Sequence, residues 1–470
     1  MRWVKVVDSG ESKHWTILDL GCGGGRTGVP CALNHYWRDH LNSLITDSLS
    51  DRSRQRTLQA LGIFCGFSAA LWLAAAEAPT KLVTVAVSPF VISFMMVLGA
   101  FVSRWSVPAL IRGTSDIGAD LQQAPHLVVW GVLAGCLWAV GNTLTIFAVR
   151  DIGLSIAFPL WNSNSLVGVL WGILLFKELH RAGWLRWVGV VGGALVLFGG
   201  AILLSLASSS QAAHGHATRG VVAALGAGIV LGSMYIPYRK AYISGMNPLT
   251  FITFFTVGEL ATMTALAVGF SGGSKIFWHE LVKSRGILFW PLLGGFLWVV
   301  GDLFQNYAAK YVGISRGIPL SNTNQLWGLL WGILVFGEMH GLPPGVYAQV
   351  IGGSLLMAAG AVAIAFSSAT EGEYSSWKEA AQRESDLYNV EPAYIAARME
   401  GKEIDAKNHA RTLLDWLLIG GATLVFAAFG FMASIPEMEI HWGWLAALTS
   451  AMLLVLLAGG VALWRITRFN

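Results

Sequence analysis

Residues Trp290 to His340 read WPLLGGFLWVVGDLFQNYAAKYVGISRGIPLSNTNQLWGLLWGILVFGEMH. They align without a gap with Trp130 to His180, which read WGVLAGCLWAVGNTLTIFAVRDIGLSIAFPLWNSNSLVGVLWGILLFKELH. Of the 51 aligned positions 24 are identical, and the matches include Trp, Pro and Asn as well as common aliphatic residues. The register continues through Gly192/Gly352 and Gly200/Gly360, and with a one-residue slip it takes in Pro89/Pro248 and Gly99/Gly258. The sequence therefore predicts two copies of one structural unit.

The composition predicts a membrane protein. The 470 residues include 31 Lys+Arg and 27 Asp+Glu, so 12% are charged, whereas soluble domains carry about 25%. Hydrophobic residues make up 54% of the chain and the mean hydropathy is +0.58. The four Cys contain no CxxC and form no disulfide framework. A net charge of +4 without a basic run gives no reason to expect nucleic acid as a partner.

Twelve mostly apolar stretches are long enough to cross a bilayer. They are 57–76, 83–103, 127–149, 153–176, 184–207, 218–238, 248–269, 287–309, 314–336, 346–367, 412–434 and 443–465. Each copy of the repeat holds five of them, and because five is odd the second copy must be inverted in the membrane. The predicted fold class is thus an all-α membrane protein with an inverted repeat of two five-helix units (ten spans) plus two extra C-terminal spans.

The same pattern predicts the domain organisation. Residues 1–56 form an N-terminal cytoplasmic extension that is expected to be disordered, and 57–207 form the first repeat. Residues 208–367 form the second, inverted repeat, 368–411 a charged cytoplasmic linker, and 412–470 the two additional spans with a short tail. With the N-terminus inside, short cytoplasmic segments carry fourteen Lys/Arg, Arg104 among them, against six outside. We therefore expect an integral, multi-pass protein with both termini in the cytoplasm, and the sequence does not say in which membrane.

The most polar feature of the spans is a matched pair of Pro–Asn motifs. Pro159 is followed by Asn162 and Asn164, and Pro319 by Asn322, Asn324 and Gln325. Proline frees a backbone carbonyl and can break the helix, while amides both donate and accept hydrogen bonds without charge, as sugar hydroxyls require. These five polar residues are candidate substrate ligands. The alternative is that they only hydrogen-bond one helix to another.

A second candidate site lies on the span before each motif. Trp298, Asp302, Gln305 and Asn306 follow i, i+4, i+7 and i+8 spacing, so they share one helical stripe. The first copy has Trp138, Asn142 and Thr145 at matching places. An aromatic face can pack against a sugar ring, which makes Trp138, Trp298, Asn142 and Gln305 further candidate substrate-binding residues. Packing in the protein interior is the alternative for each Trp.

Two acids inside the spans have no acidic counterpart in the other copy. Asp302 aligns with Asn142, and Glu259 lies where the first copy has Ala100. Both are treated as unpaired, and a carboxyl at membrane depth can load and release a proton. Asp302 or Glu259 is therefore the candidate proton-coupling residue. The alternative is a neutral, hydrogen-bonded structural acid.

The remaining titratable residues suggest no chemistry of their own. Glu178 and Glu338 are matched and lie near the ends of their spans, which favours a role in anchoring loops. No set of His, Cys, Asp or Glu has metal-ligand spacing and no nucleophile–base motif occurs, so we expect no enzyme, no cofactor and no metal. Residues Thr16 to Arg26 resemble the first motif of S-adenosylmethionine-dependent methyltransferases, but the chain leaves no room for the rest of that domain.

The block from Gly295 to Glu338 also carries a family resemblance. Its runs Gly295-Phe-Leu-Trp298, Gly313-Ile-Ser-Arg-Gly-Ile-Pro319 and Gly332-Ile-Leu-Val-Phe336-Gly-Glu338 resemble the second repeat of the glucose/ribose porter-type sugar uptake proteins. Those proteins belong to the drug/metabolite transporter superfamily, and eukaryotic transmembrane relatives are similar. The resemblance covers about residues 57–367. It implies a ten-helix inverted repeat and carbohydrate uptake linked to protons.

Together these observations predict a secondary transporter that moves a small neutral polar solute, a sugar by preference, by alternating access. The expected partners are that solute, the lipid bilayer and H+, and the oligomeric state is left open. One alternative is a transporter of the same fold for a nucleotide sugar, purine or ureide. The other is a membrane protein that does not transport.

Overall fold

The computed structural model describes residues 32–470 except 85, 112, 115–116, 118–120, 122–126, 177–182, 212–216, 244–247, 313–316, 318–319, 369–381, 383–384, 387–410, 436–437 and 468–470. The chain divides into two units, Met1–Gln55 and Arg56–Asn470. Several features discussed above lie outside the described residues. They are the Thr16–Arg26 motif, Glu178, Pro319 and most of the charged linker. Residues 32–56 of the expected extension belong to a helix.

Helices make up the regular structure of the described part, which contains no strand. They are α1 (Ala32–Lys81), α2 (Pro89–Ile111), α3 (Leu127–Ile152), α4 (Leu154–Trp161), α5 (Asn164–Phe176), α6 (Trp184–Gln211), α7 (Ala217–Ser233), α8 (Tyr235–Ile243), α9 (Pro248–Phe270), α10 (Ser274–Lys283), α11 (Phe289–Val312), α12 (Asn324–Leu330), a π-helical turn (Trp331–Val335), α13 (Pro344–Ser368), α14 (Leu413–Phe431) and α15 (Trp442–Thr467). This agrees with the all-α prediction.

Ten helices of the described part are long and apolar enough to span a membrane. They are Arg56–Lys81, Pro89–Ile111, Val128–Ile152, Leu154–Leu175, Trp184–Leu204, Ala217–Tyr238, Thr250–Phe270, Pro344–Ile364, Leu413–Phe431 and Trp442–Thr467. The other two predicted spans are not among these ten. The first is α11, a helix of 24 residues that carries Asp302, Gln305, Asn306 and Lys310. The second, 314–336, holds the short α12, the π-helical turn and undescribed residues.

Glycine residues set the closest helix contacts at the centre of the molecule. A Cβ atom on Gly99 of α2 would lie 2.1 Å from the Leu292 carbonyl oxygen of α11, and one on Gly258 of α9 would lie 2.0 Å from that of Val132 on α3. The same holds from the other helix of each pair. A Cβ atom on Gly295 of α11 would lie 2.0 Å from a carbonyl oxygen of α2, and one on Gly135 of α3 would lie 1.9 Å from a carbonyl oxygen of α9. Only glycine allows backbones to approach so closely, as in other packed membrane helices. The pairs α2–α11 and α3–α9 therefore cross at matched positions of the two copies.

Helices α6 and α13 pack along each other in the same manner. A Cβ atom on Gly193 would lie 2.9 Å from the Gly360 carbonyl oxygen, and one on Gly200 would lie 2.6 Å from that of Gly353. Contacts that advance along one helix and retreat along the other require the two helices to run antiparallel. The beginning of α6 therefore lies at the opposite end of the bundle from the beginning of α13.

The asparagines of each Pro–Asn motif lie at a break between helical segments. Helix α4 ends at Trp161, two turn residues follow, and α5 begins at Asn164. In the second copy Asn322 and Thr323 form the turn before α12. The turn amides of Ser163 and Thr323 donate to the carbonyls of Leu160 and Leu320, at 3.2 and 3.3 Å. Both breaks thus have the same backbone hydrogen bond at the same place in the repeat.

The C-terminal helices α14 and α15 lie on the outside of the bundle. Most of their large apolar side chains are exposed, as in Leu413, Leu424 and Phe431. Polar contacts hold α14 at both ends: the Asp415 carboxylate accepts from Thr114, and the Trp290 indole donates to the Ser434 carbonyl at 2.8 Å. Apolar side chains exposed on a membrane helix are suited to contact with lipid.

Candidate functional site

Three charged side chains meet in the interior where α2, α9 and α11 come together. The Arg104 guanidinium contacts both acids: its Nη1 lies 3.1 Å from Glu259 Oε1, and its Nη2 lies 2.9 Å from Asp302 Oδ2. All three side chains are fully buried, at 0% exposure. A buried charge is costly unless it is paired, so these three residues define one electrostatic unit, which we call the Arg104 cluster.

The Arg104 cluster corrects two interpretations of the sequence. Glu259 and Asp302 are not unpaired, because both contact the same arginine. Arg104 is not a surface cation of a cytoplasmic segment either, since it lies within α2 and is wholly buried. The physical reason is separation along the chain: Arg104 precedes Asp302 by 198 residues, and their contact exists only in the folded bundle. One signal was available, because the apolar sequence of α2 continues past Arg104 as far as Ile111.

Aromatic rings enclose the arginine. The Arg104 guanidinium carbon lies 4.3 Å from the centre of the Phe255 ring and 4.6 Å from that of Trp298. The Trp298 ring in turn meets that of Trp138 edge to face, with 4.6 Å between centroids. Such cation–π contacts stabilise a cation that has lost its water. The structure therefore brings the two matched tryptophans together and places one of them against the charged cluster.

The polar residues of the two stripes are buried and hydrogen-bonded. Asn142 donates to the Ser93 hydroxyl at 2.8 Å, and Gln305 donates to the Ser321 hydroxyl at 2.6 Å. Asn306 donates to the backbone carbonyl of Asp302 at 2.7 Å. Gln305 thereby connects α11 to the helix break of the second copy.

The four motif asparagines bond to one another across the two copies. Asn162 donates to the Asn324 side-chain oxygen at 2.9 Å, and Asn322 donates to that of Asn164 at 2.8 Å. Asn162 matches Asn322 and Asn164 matches Asn324 in the repeat, so the two bonds are equivalent. All four are nearly buried, at 3% to 7% exposure. We call them the asparagine quartet; a role in binding substrate stays a prediction for these residues.

Helix α8 connects the quartet to the Arg104 cluster. The Tyr238 hydroxyl donates to Asp302 Oδ1 at 3.3 Å, and the Tyr235 hydroxyl lies close to the Asn322 side chain. Residues three apart share one face of a helix, so one face of α8 contacts both groups. Gln325, which follows Asn324 in the sequence, is also buried, and its Oε1 has no hydrogen-bond partner within the described residues. Sequence reasoning missed both tyrosines, which no repeat or polar pattern singles out.

Glu338 anchors the start of α4, as its position near a span end suggested. Its carboxylate accepts from the Leu154 amide at 2.9 Å, from the Ser155 amide at 2.8 Å and from the Ser155 hydroxyl at 2.6 Å. Lys81 Nζ lies 3.0 Å from Oε1. Burial raises the pKa of this carboxyl, but Lys81 and these hydrogen bonds outweigh burial and hold the pKa below its ordinary value. A negative charge at a helix N-terminus is also favourable.

The fold and this site define a multi-pass helical membrane protein with an ion cluster in its interior. A family model described as "Sugar transport protein" matches residues 256–388, which include Glu259, Asp302 and the second Pro–Asn motif. Arg104 and the first copy of the repeat lie outside that match.

Proteins described as "Putative sugar uptake protein" are similar to about half of the chain. One from Listeria innocua is 27% identical over 232 residues, which cover 48% of this chain and 76% of that protein. One from Streptococcus pyogenes is 26% identical over 250 residues, 49% of this chain and 79% of its own length. One from Streptococcus agalactiae is 26% identical over 219 residues, which cover 46% of this chain and 72% of that protein. The chain is thus similar to these proteins over 46% to 49% of its length.

Proposed function

We propose that this protein is a secondary transporter that moves a sugar across a membrane by alternating access and couples the movement to protons. The observation that carries the proposal is the Arg104 cluster with Trp298 against it. One buried region contains an aromatic face, carboxylates and amides. The aromatic face can pack against the apolar face of a sugar ring, and the carboxylates and amides can hydrogen-bond to its hydroxyl groups. The similarity to sugar uptake proteins supports the same substrate class.

The proposed architecture is an inverted repeat of two five-helix units with two further C-terminal helices. Matched glycine contacts support it, since the Gly99–Leu292 contact on one side corresponds to the Gly258–Val132 contact on the other. The equivalent bonds of the asparagine quartet and the two helix breaks support it further. Broken helices at the interface of two inverted repeats are typical of substrate sites in secondary transporters.

The charge of the site favours a neutral solute. Arg104 is outnumbered by Glu259 and Asp302, so the cluster offers no net positive charge to a phosphate. A nucleotide sugar would need such a charge, whereas a free sugar needs only hydrogen-bonding groups and an apolar face. In this structure the cluster is closed to solvent, so the transport cycle requires conformations that open it to each side of the membrane.

Transport by the purified full chain in proteoliposomes tests the proposal. Labelled D-glucose and D-ribose should enter protein-containing vesicles faster than empty ones, and an inward proton gradient should drive accumulation. Trp298→Ala should raise the KM about two- to tenfold, which corresponds to the ~0.5–1.5 kcal/mol of an aromatic contact. Trp184→Ala is the matched control, because Trp184 is exposed on the outer face of α6. Failure to take up any hexose or pentose would contradict the substrate class.

A further inference from the structure

We propose that the Arg104 cluster holds one exchangeable proton, that Glu259 carries it, and that Arg104 is the positioning residue that limits the pair of acids to one proton. The inference rests on the proposed function for its role in transport, but the position of the proton can be measured without any substrate. It sharpens the prediction that Asp302 or Glu259 couples transport to protons.

The number of protons follows from the charges that the structure brings together. Arginine remains protonated in proteins, so Arg104 contributes one fixed positive charge. Two ionised acids beside it would leave a net negative charge in a region with no access to water. Because net charge at membrane depth is strongly unfavourable, the closed cluster is expected to be neutral. One arginine and two acids are neutral when a single carboxyl is protonated.

The hydrogen bonds indicate which acid holds the proton. Asp302 receives a hydrogen bond from Arg104 Nη2 at 2.9 Å and another from Tyr238 at 3.3 Å. These donors stabilise an ionised carboxylate. Glu259 lies 3.1 Å from Arg104 Nη1, but neither of its oxygens accepts a hydrogen bond of good geometry from the described residues. A protonated Glu259 beside an ionised Asp302 fits this asymmetry.

The other titratable groups near Glu259 do not change the count. From α2 it faces Arg104, and from α11 it faces Asp302. From α8, Tyr238 bonds to Asp302, and on α3 Cys136 donates weakly to the backbone of Gly258, with Sγ 3.8 Å from the carbonyl oxygen. Tyrosine and cysteine are neutral near pH 7. Within the described contacts, Arg104 is the one positive charge that balances the two acids.

This arrangement explains how one proton could move per transport cycle. When the cluster opens to water on one side, Glu259 can exchange its proton with that solution, because water stabilises the ionised form. Closure is favourable only once the cluster is neutral again, so the proton must be regained before the site can close. Coupled acids that share one cation act as a single titrating unit. Arg104 thus prevents the two acids from each carrying a proton.

Infrared spectroscopy of the reconstituted full chain at neutral pH tests the assignment, because a protonated carboxyl has a carbonyl stretch that an ionised one lacks. The cluster of the wild-type protein should contribute one such band, identified by its loss in Glu259→Gln and by its shift when glutamate is labelled with carbon-13. The band should also be lost in Asp302→Asn, since Arg104 then balances Glu259 alone. Arg104→Gln should add a second band, from Asp302. Glu280→Gln, which is partly exposed at the end of α10, should leave the cluster bands unchanged.

The outcomes separate this inference from the proposed function. A wild-type spectrum that Glu259→Gln does not alter, or a band that shifts with labelled aspartate instead, would overturn the assignment even if sugar is transported. A confirmed Glu259 band together with no sugar flux would count against the proposed substrate alone. If Arg104→Gln does not fold, Arg104→Lys replaces it: that variant retains the positive charge and should keep a single band. A second band in Arg104→Lys would contradict the charge count.

Discussion

Glu338 is a residue whose contribution to stability should depend on pH. Its carboxylate binds two backbone amides, a hydroxyl and Lys81, which hold its pKa below the ordinary value against the opposing effect of burial. A carboxyl with a lowered pKa contributes stability that is complete above the unfolded value of about 4.3 and is lost as the pH falls through the folded value. Glu338→Gln should therefore lower the unfolding free energy by about 1.5–3 kcal/mol at pH 7.

The measurement is thermal unfolding of both proteins in detergent between neutral and acidic pH. The difference between wild type and Glu338→Gln should stay constant down to about pH 5 and shrink below it. Glu280→Gln is the control, because within the described residues Glu280 accepts one amide hydrogen bond, from Ser88 at 3.2 Å. A difference that grew on acidification would show that the ionised form of Glu338 does not anchor α4.

Residues also mark the limit of what the sequence could predict about the site. The polar candidates Asn142, Gln305, Asp302 and Glu259 were visible because each interrupts an apolar stretch, and the structure buries all of them. Arg104 was misplaced because it lies late in its helix, where hydropathy alone cannot separate the last buried turns from the membrane surface. Its role depends on how α2 packs against α9 and α11, and a single sequence does not contain those distances.

At the scale of elements, the asparagine quartet should behave as two coupled pairs that hold the helix breaks together. Asn162→Ala leaves the buried Asn324 oxygen without its donor, and Asn324→Ala leaves the Asn162 amide without one of its two acceptors, the other being Phe158 O. Each single substitution should cost about 1–3 kcal/mol of stability. The double substitution should cost less than the sum, since it removes both partners at once.

A double-mutant cycle on unfolding in detergent gives that coupling energy. The matched pair Asn164 and Asn322 provides an internal comparison and should show coupling of the same sign, because its bond is equivalent by the repeat. The cross pair Asn162 and Asn322, which shares no hydrogen bond in the structure's described contacts, is the control. Strictly additive costs for Asn162 and Asn324 would contradict a direct bond between the two breaks.

Elements also show which part of the fold was predictable. The repeat placed the two breaks at matched positions, and the backbone hydrogen bonds of Ser163 and Thr323 lie 160 residues apart as expected. The hydropathy pattern did not show that the amides of one break bond to those of the other, because side-chain partners across a symmetry axis depend on the distance between helices. Nor did it distinguish the apolar spans from α11, whose 24 residues form a helix despite their polar face.

At the scale of the whole molecule, the proposed inverted repeat makes a prediction about sidedness. The loop before α6 and the loop before α13 occupy matching places in the two copies, yet the proposed inversion would put them on opposite sides of the membrane. The antiparallel packing of the two helices agrees with that arrangement, since Gly193 contacts Gly360 and Gly200 contacts Gly353. Gly183 and His340 lie in these loops and are both exposed. Cysteines at these two positions should therefore be labelled from opposite sides.

The experiment uses sealed vesicles of one orientation and the full chain with its four cysteines replaced by serine. A thiol reagent that cannot cross membranes should label only one of Gly183→Cys and His340→Cys in intact vesicles, and both after permeabilisation. The contrast should be nearly complete, because a polar reagent does not cross the ~30 Å hydrocarbon core. Gly345→Cys, at the exposed start of α13, should follow His340→Cys. Labelling of both loops from one side would reject the inverted repeat, because a five-helix unit cannot be repeated in the membrane without reversing its direction.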